Sequence, residues 1–185
     1  MPSQLSHRSP ETIAARGFTV IELMLVVVLV AILITLVAPV SDKVRARAEA
    51  ARCAANLRAL HAALGAYVSQ NGHWPQPPKG LDARQTTAWW ITELQPMGMT
   101  RQAWLCPAIE RSLDESGQPA DQRPEAHYGV TGFDAKQFTP YRWPKQPWAI
   151  EMGSMHGRGN LMLFPDGSIR SLNDVIPEAA AAKLK

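Results

Sequence analysis

The sequence predicts an α+β protein in which one long N-terminal helix packs on a small antiparallel β-sheet head. Three observations lead to this fold class. An uncharged apolar run extends from Leu23 to Val40, an amphipathic helical pattern follows it, and the C-terminal half alternates short apolar segments with turns. At 185 residues, the chain has room for one modest domain and an accessory segment.

The N-terminal region divides into a leader and an apolar helix. Residues 1–17 are polar and contain Arg8 and Arg16, whereas residues 18–40 are predominantly apolar. At about 1.5 Å per residue, a helix over 18–40 would be roughly 34 Å long, which exceeds the roughly 30 Å of a bilayer's hydrocarbon core. We therefore predict a transmembrane and assembly helix over 18–40, preceded by a leader peptide over 1–17.

Glu22 lies one turn inside this apolar stretch, where an ionised carboxylate is costly unless it is paired. If the chain is cut after Gly17, the new amino group of Phe18 in a neighbouring subunit could neutralise Glu22 and fix the axial register of packing. Alternatively, Glu22 lies near enough to the membrane interface to remain hydrated. The residue pattern leaves both interpretations open.

Residues 16–33, RGFTVIELMLVVVLVAIL, closely resemble the type III signal of type IV pilins and type II secretion pseudopilins. In that signal, Gly is followed by Phe-Thr-Leu-Ile-Glu and an apolar run, and the departure here is Val20 in place of Leu. The resemblance implies that a prepilin peptidase cuts between Gly17 and Phe18, that Phe18 is N-methylated, and that Glu22 sets the assembly register. It also implies other pilin or pseudopilin subunits as partners, a single pass through the inner membrane, and a C-terminal head in the periplasm or in an extracellular filament.

Residues 41–72 are predicted to continue the helix, because Ala, Leu and Arg are strong helix formers. Apolar residues recur at spacings of three and four and form one stripe, comprising Ala46, Ala50, Cys53, Leu57, Leu60, Leu64 and Tyr67. Asn71-Gly72 is a strong stop signal. Cys53 lies on the stripe, so a disulfide with Cys106 would form if that segment covers the helix and the compartment is oxidising, and two buried free thiols are the alternative.

The head, residues 73–185, is predicted to be rich in β-strands. We expect a short helix over 86–95 capped by Thr86 or Thr87, and an exposed loop over 110–125. Two strands around the turn Pro165-Asp166-Gly167 should form a hairpin, and Asn173 should cap a short Ala-rich C-terminal helix. The predicted strands are 103–106, 128–133, 148–152, 160–164 and 168–172.

A second resemblance covers the head and the helix that precedes it. His156 is followed after nine residues by Asp166-Gly167, as in the pilin-like family defined by a C-terminal H-X9-DG element. Further matching segments precede it in the same order: Cys53-Ala-Ala-Asn-Leu-Arg, Tyr67, Asn71-Gly72, Pro75 and Leu105-Cys106-Pro107. The resemblance implies an exported pseudopilin-like protein, and it assigns no specific task to the head.

His156 and Asp166 could form a catalytic pair or bind a metal, because a carboxylate often orients a catalytic histidine. In the predicted hairpin, however, Asp166 lies at the turn and His156 precedes the first strand, roughly 17 Å away at about 3.3 Å per residue. We therefore predict that Asp166 caps the turn, that Gly167 supplies a positive φ, and that His156 makes a structural hydrogen bond. Calcium at Asp166 is the weaker alternative, since too few oxygen ligands lie nearby.

The leading hypothesis is a structural subunit that is not an enzyme and needs no cofactor or metal. The net charge of +3 arises from 19 Lys/Arg and 16 Asp/Glu without long basic runs, so no nucleic-acid partner is expected. The two cysteines lie far apart and outside any CxxC motif, so the sequence does not support a zinc ribbon or a thioredoxin-like redox motif. The alternative is a membrane-tethered binding module or hydrolase that uses the pilin-type leader only for export.

Overall fold

The structure is a computed structural model that describes residues 18–136, 139–156 and 159–176, with the side chains of 36–41 outside the described set. The chain divides into two compact units, Met1–Asp42 and Lys43–Lys185. The predicted leader, including Gly17, lies outside the described residues, as does the end of the predicted C-terminal helix. Within the described ranges the fold is α+β, with five α-helices and one four-stranded antiparallel sheet, which confirms the predicted class.

Helix α1 extends over Val20–Asn71 and contributes to both units. In the first unit, every described side chain from Phe18 to Thr35 is exposed, although nearly all are apolar. Among the described residues, no helix has both the length and the apolar character needed to cross a membrane. The prediction of a transmembrane span over 18–40 is therefore unsupported, and the last part of that range falls on the undescribed side chains of 36–41.

In the second unit, α1 buries one face, as the spacing of its apolar residues predicts. The buried stripe begins at Cys53 rather than at Ala46, which is exposed. It continues through Leu57, Leu60, Ala63, Leu64, Tyr67 and Val68. The helix ends at Asn71, and Gly72 follows with a φ of 75°, a conformation that favours glycine. The Asn71-Gly72 stop is therefore confirmed.

The sheet is a simple meander with the strand order β1-β2-β3-β4. The strands are β1 (Tyr128–Val130), β2 (Ala149–Glu151), β3 (Leu161–Leu163) and β4 (Ile169–Ser171). Tyr128 pairs with Glu151 across β1 and β2, and Leu163 pairs with Ile169 across the final hairpin. The last four predicted strands are confirmed, although each is shorter than expected.

Helix α2 covers Ala83–Leu94 and begins earlier than predicted. Its N-cap is Asp82, whose side chain accepts from the Gln85 N–H while the Gln85 side chain accepts from the Asp82 N–H. The prediction of a cap at Thr86 or Thr87 is wrong, because this reciprocal capping box starts the helix one turn upstream. Thr87 instead donates its hydroxyl proton to the carbonyl of Ala83 within the helix.

The segment before Cys106 is not a strand, so the prediction over 103–106 is wrong. Thr100 caps a 3-10 turn over Arg101–Trp104, and Pro107 then starts helix α3, Pro107–Glu115. The predicted loop over 110–125 is accordingly helical in its first part. Proline is favoured at the first helical position because it has no N–H to leave unpaired there.

Helix α3 is attached to α1 by a bidentate ion pair. Arg111 donates from Nε and Nη2 to the two carboxylate oxygens of Glu49, at 3.0 and 2.9 Å. Two parallel charge-assisted bonds fix orientation as well as distance. The segment that carries Cys106 is therefore held against α1 on its C-terminal side.

Two short helices complete the described chain, α4 over Thr139–Arg142 and α5 over Leu172–Val175. Ser171 occupies the N-cap position of α5 and Asn173 lies within this helix, whereas the Ala-rich helix that Asn173 was predicted to cap lies outside the described residues. Trp74 and Trp148 are fully buried in the core, and their rings meet edge to face at 5.0 Å. Both indole N–H groups donate to backbone carbonyls, those of Thr131 and Pro140, which satisfies them in the interior.

Candidate functional site

Three of the segments quoted for the head's resemblance, those that contain Cys53, Cys106 and His156, meet beside α1. Cys53 on α1 is joined by a disulfide to Cys106, the residue before α3, with 5.3 Å between their Cα atoms. One turn further along α1, Asn56 donates from Nδ2 to the Leu105 carbonyl at 2.8 Å. A covalent and a polar contact thus hold the same short segment against the helix.

A carboxylate and an imidazole lie beside this disulfide. Glu151 ends β2 and is fully buried, and the His156 side chain is 6% exposed. The distance from His156 Nε2 to Glu151 Oε1 is 3.1 Å, and that from His156 Nε2 to Cys106 Sγ is 3.5 Å. Glu151 Oε2 also accepts from the Leu161 N–H at 3.4 Å. A buried carboxylate needs such partners, because an unpaired charge in the interior is strongly unfavourable.

His127 binds the backbone of the same segment. The Cys106 N–H donates to His127 Nδ1 at 3.0 Å, so the proton of the neutral ring lies on Nε2. Nε2 is 3.3 Å from Glu110 Oε1 but forms no hydrogen bond with any described group. Burial lowers the pKa of His127, and the Glu110 carboxylate only partly opposes this shift. The ring is therefore held in its neutral, hydrogen-bond-accepting form.

The turn after β3 packs against α1. His61 donates from Nε2 to the Pro165 carbonyl at 3.0 Å, and its ring stacks on Trp148 at 4.9 Å. Gly167 has a φ of 76°, and a Cβ added there would lie 3.4 Å from His61 Cε1. A residue with a side chain would be strained at this φ and would also crowd the histidine.

Asp166 stabilises this turn without contacting His156. Its Oδ1 accepts from the Ser168 N–H at 2.9 Å, and its Oδ2 is 3.6 Å from Arg170 Nη2. Hydrogen bonding from Ser168 is the main cause that lowers the pKa of Asp166, and the nearby positive charge of Arg170 adds to it. His156 and Asp166 thus act at separate places, one beside the disulfide and the other in the turn.

Glu151, the partner of His156, was not predicted from the sequence. A signal was present, because Glu151 is the one charged residue within the apolar segment 148–152 that was predicted to be a strand. In β2, the side chains of Ala149 and Glu151 point to the same buried face and that of Ile150 to the exposed one. A carboxylate at an inward-facing position calls for a buried partner, which the sequence alone could not name.

The N-terminus of α1 contains a second arrangement that the sequence analysis overlooked. The N–H and the hydroxyl of Thr19 both donate to Glu22 Oε2 at 2.9 Å, and the Glu22 N–H donates to Thr19 Oγ1 at 3.3 Å. This is a capping box, and its signature Thr-x-x-Glu is readable in the sequence. Glu22 therefore caps its own helix in the single chain. Phe18, beside the proposed cleavage point, is 81% exposed.

Four side chains in the described part of the chain could together hold a metal ion. They are Cys53, Cys106, Glu151 and His156, and their ligand atoms all lie within 4.8 Å of one another. Thiolate, imidazole and carboxylate are the ligand types that zinc sites use. The arrangement as found, a disulfide beside an imidazole–carboxylate pair, is a structural junction between α1 and the sheet.

Comparison with curated proteins found a similarity over part of the chain. The type II secretion system core protein G of Escherichia coli (strain K12) is 34% identical to this chain over 68 residues. The match covers 37% of this chain and 47% of that protein, so the chain spans about half the length of the curated relative it matches. This similarity supports a pilin-like secretion subunit at the level of the family. No family model and no solved structure matches the chain.

Proposed function

We propose that this chain is a structural subunit of a type IV pilus or a type II secretion pseudopilus and performs no catalysis. In this proposal, a prepilin peptidase cuts between Gly17 and Phe18, Phe18 is N-methylated, and the apolar part of α1 then packs against other pilin-like subunits. The similarity to a type II secretion core protein and the pilin-type sequence at 16–33 support this assignment.

The observation that carries the proposal is the exposure of an apolar helix on all its sides. From Phe18 to Ile34, large hydrophobic side chains are about half or more exposed, although they face every direction around α1. A helix that is apolar all round requires an apolar surrounding. In a filament, the corresponding helices of other subunits would provide it.

Glu22 can take part in assembly without giving up its capping role. Both bonds from Thr19 go to Oε2, and a carboxylate has acceptor sites on both oxygens. Oε1 can therefore accept from the amino group of Phe18 in a neighbouring subunit. This second bond would be charge-assisted, and it would fix the axial register between subunits.

The head is proposed to lie in the periplasm or in an extracellular filament. The Cys53–Cys106 disulfide supports this location, because disulfides persist in oxidising compartments and are rare in the cytoplasm. The inner-membrane location of the subunit before assembly remains a prediction.

The test separates the charge of Glu22 from its cap. Glu22→Gln keeps a capping side chain at this position but removes the charge, whereas Thr19→Val removes the hydroxyl that accepts from the Glu22 N–H and keeps the charge. We expect Glu22→Gln to reduce incorporation into filaments by roughly tenfold, which corresponds to about 1.4 kcal/mol. Thr19→Val should incorporate nearly normally, because the contacts it removes lie within one helix and the charge proposed to pair with the neighbouring subunit is kept.

Two results would contradict the proposal. Normal incorporation of Glu22→Gln into filaments would show that the charge of Glu22 does not set the axial register. If the intact mass of the protein from cells with an active prepilin peptidase still includes residues 1–17, the proposed cleavage does not occur. Under the proposal, the mass should correspond to a chain beginning at Phe18 with one added methyl group.

A further inference from the structure

The disulfide junction brings together a complete set of zinc ligands. We propose that, when the Cys53–Cys106 disulfide is reduced, these two cysteines bind one zinc ion together with Glu151 and His156. The same four residues then have two alternative states. In the oxidised state they form a disulfide next to a hydrogen-bonded imidazole–carboxylate pair, and in the reduced state they form a tetrahedral metal site.

The spacing of the donor atoms fits this second state. With Zn–S of about 2.3 Å and Zn–N and Zn–O of about 2.0–2.2 Å, a tetrahedral site separates S from N by about 3.5 Å and N from O by about 3.4 Å. The structure has 3.5 Å from Cys106 Sγ to His156 Nε2 and 3.1 Å from His156 Nε2 to Glu151 Oε1. The main adjustment is the separation of the two sulfurs to about 3.8 Å, once their bond is broken.

The chemistry of the donors selects the metal. Two thiolates favour thiophilic ions such as zinc over calcium and magnesium, which prefer all-oxygen sites. Cys53, Cys106 and Glu151 are fully buried, and the side chain of His156 is nearly so. Four protein ligands in a closed site are typical of structural zinc rather than catalytic zinc, which keeps an open position.

The surroundings already orient the ligands. Glu151 Oε2 accepts from the Leu161 N–H, and the Glu151 carbonyl accepts from Asn160 Nδ2 at 2.7 Å. The backbone of Cys106 is fixed by its bond to His127. Such supporting contacts commonly raise metal affinity by holding the ligands in place.

The change between the two states balances in electrons and protons. A phosphine reductant and one water reduce the disulfide, giving two thiols and the phosphine oxide. Zinc binding then releases the two thiol protons, and the imidazole proton moves from Nε2 to Nδ1 so that Nε2 can bind the metal. Binding should therefore strengthen as pH rises, because protons compete for the thiolates.

The test uses the full chain, purified in detergent and handled without oxygen. One sample keeps its disulfide, and the other is reduced with a phosphine and freed of excess reductant. Cobalt(II) replaces zinc as the probe, because thiolate-to-cobalt charge transfer and tetrahedral ligand-field bands report the ligand types directly. We expect one cobalt per reduced chain with both kinds of band, displacement of cobalt by zinc, and no binding by the oxidised chain.

Matched variants assign the two ligands that are not cysteines. Glu151→Gln and His156→Ala should each weaken cobalt binding by about tenfold or more, whereas His73→Ala, at a histidine outside the cluster, should bind as the wild type does. The proposal is overturned if the reduced wild-type chain binds no cobalt, or if both variants bind cobalt with wild-type affinity and spectra. The wild-type spectrum alone shows whether the reduced chain binds cobalt, even if a variant fails to fold.

Discussion

Glu151 and His156 form a buried pair inside the head, with 3.1 Å between Oε1 and Nε2. Removing one member leaves the other without its partner in the interior. We expect Glu151→Ala to lower the free energy of unfolding by about 1–3 kcal/mol, because it leaves a buried imidazole N–H without its acceptor. Urea unfolding of the oxidised chain measures this loss.

The pairing itself is isolated by a double-mutant cycle. Once Glu151 is replaced, His156→Ala should lower the free energy of unfolding by less than it does in the wild type. The difference between the two losses, the coupling energy, should be about 1–3 kcal/mol. Strict additivity of the two substitutions would show that the residues do not depend on each other. The disulfide must remain intact in all four proteins so that only this pair varies.

The disulfide should contribute substantially to stability, because it joins residues 53 positions apart. For a loop of this length, the chain-entropy account gives about 4 kcal/mol. We expect the double substitution Cys53→Ala and Cys106→Ala to lower the free energy of unfolding by this amount in urea. A reduced wild-type sample with a metal chelator should behave similarly, and a loss below about 1 kcal/mol would contradict the expectation.

Gly167 should resist substitution, because it combines a φ of 76° with close contact to His61. Gly167→Ala is expected to lower the free energy of unfolding by about 1–2 kcal/mol. Gly132→Ala is the matched control, since an added Cβ there meets nothing within 4 Å and its φ is not positive. Equal thermal unfolding midpoints for the two variants would show that the turn's conformation is not a constraint.

Stability should fall with decreasing pH because of His127. Burial lowers its pKa from the ordinary 6.5, so the unfolded chain takes up a proton more readily than the folded chain. Above about pH 6.5, His127 is neutral in both states and does not weaken the fold. As the pH falls from there toward the folded pKa, the free energy of unfolding decreases by up to about 1.4 kcal/mol per pH unit. The carboxylates of Glu110 and Glu151 oppose the shift without reversing it.

The control for this pH dependence is His127→Gln, which can still accept from the Cys106 N–H but does not titrate. The free energy of unfolding should depend less on pH in this variant than in the wild type, between pH 7 and 5. Parallel pH profiles for the two proteins would exclude His127 as the source.

The sequence predicted the elements that local patterns determine. The stripe on α1 and the hairpin at Pro165–Gly167 depend on residue spacing and turn chemistry, and both are present. The prediction of a strand over 103–106 was wrong because a short apolar segment is compatible with either a strand or a turn of helix. Here the Thr100 cap and Pro107 favour helical turns on both sides of Cys106. The Glu151–His156 pair could not be predicted, because it depends on how the loop after β2 folds back.

The position of Cys106 in the chain has a consequence for the order of folding. All four strands lie C-terminal to Cys106, whereas α1 and α2 precede it. A chain that emerges N-terminus first can therefore form its covalent cross-link before any strand is available, and the meander can then assemble through neighbouring hairpins, whose contacts are local and fast to form. Thiol trapping of nascent chains arrested shortly after Cys106 has emerged under oxidising conditions would reveal this order as loss of free thiols before any strand has been made.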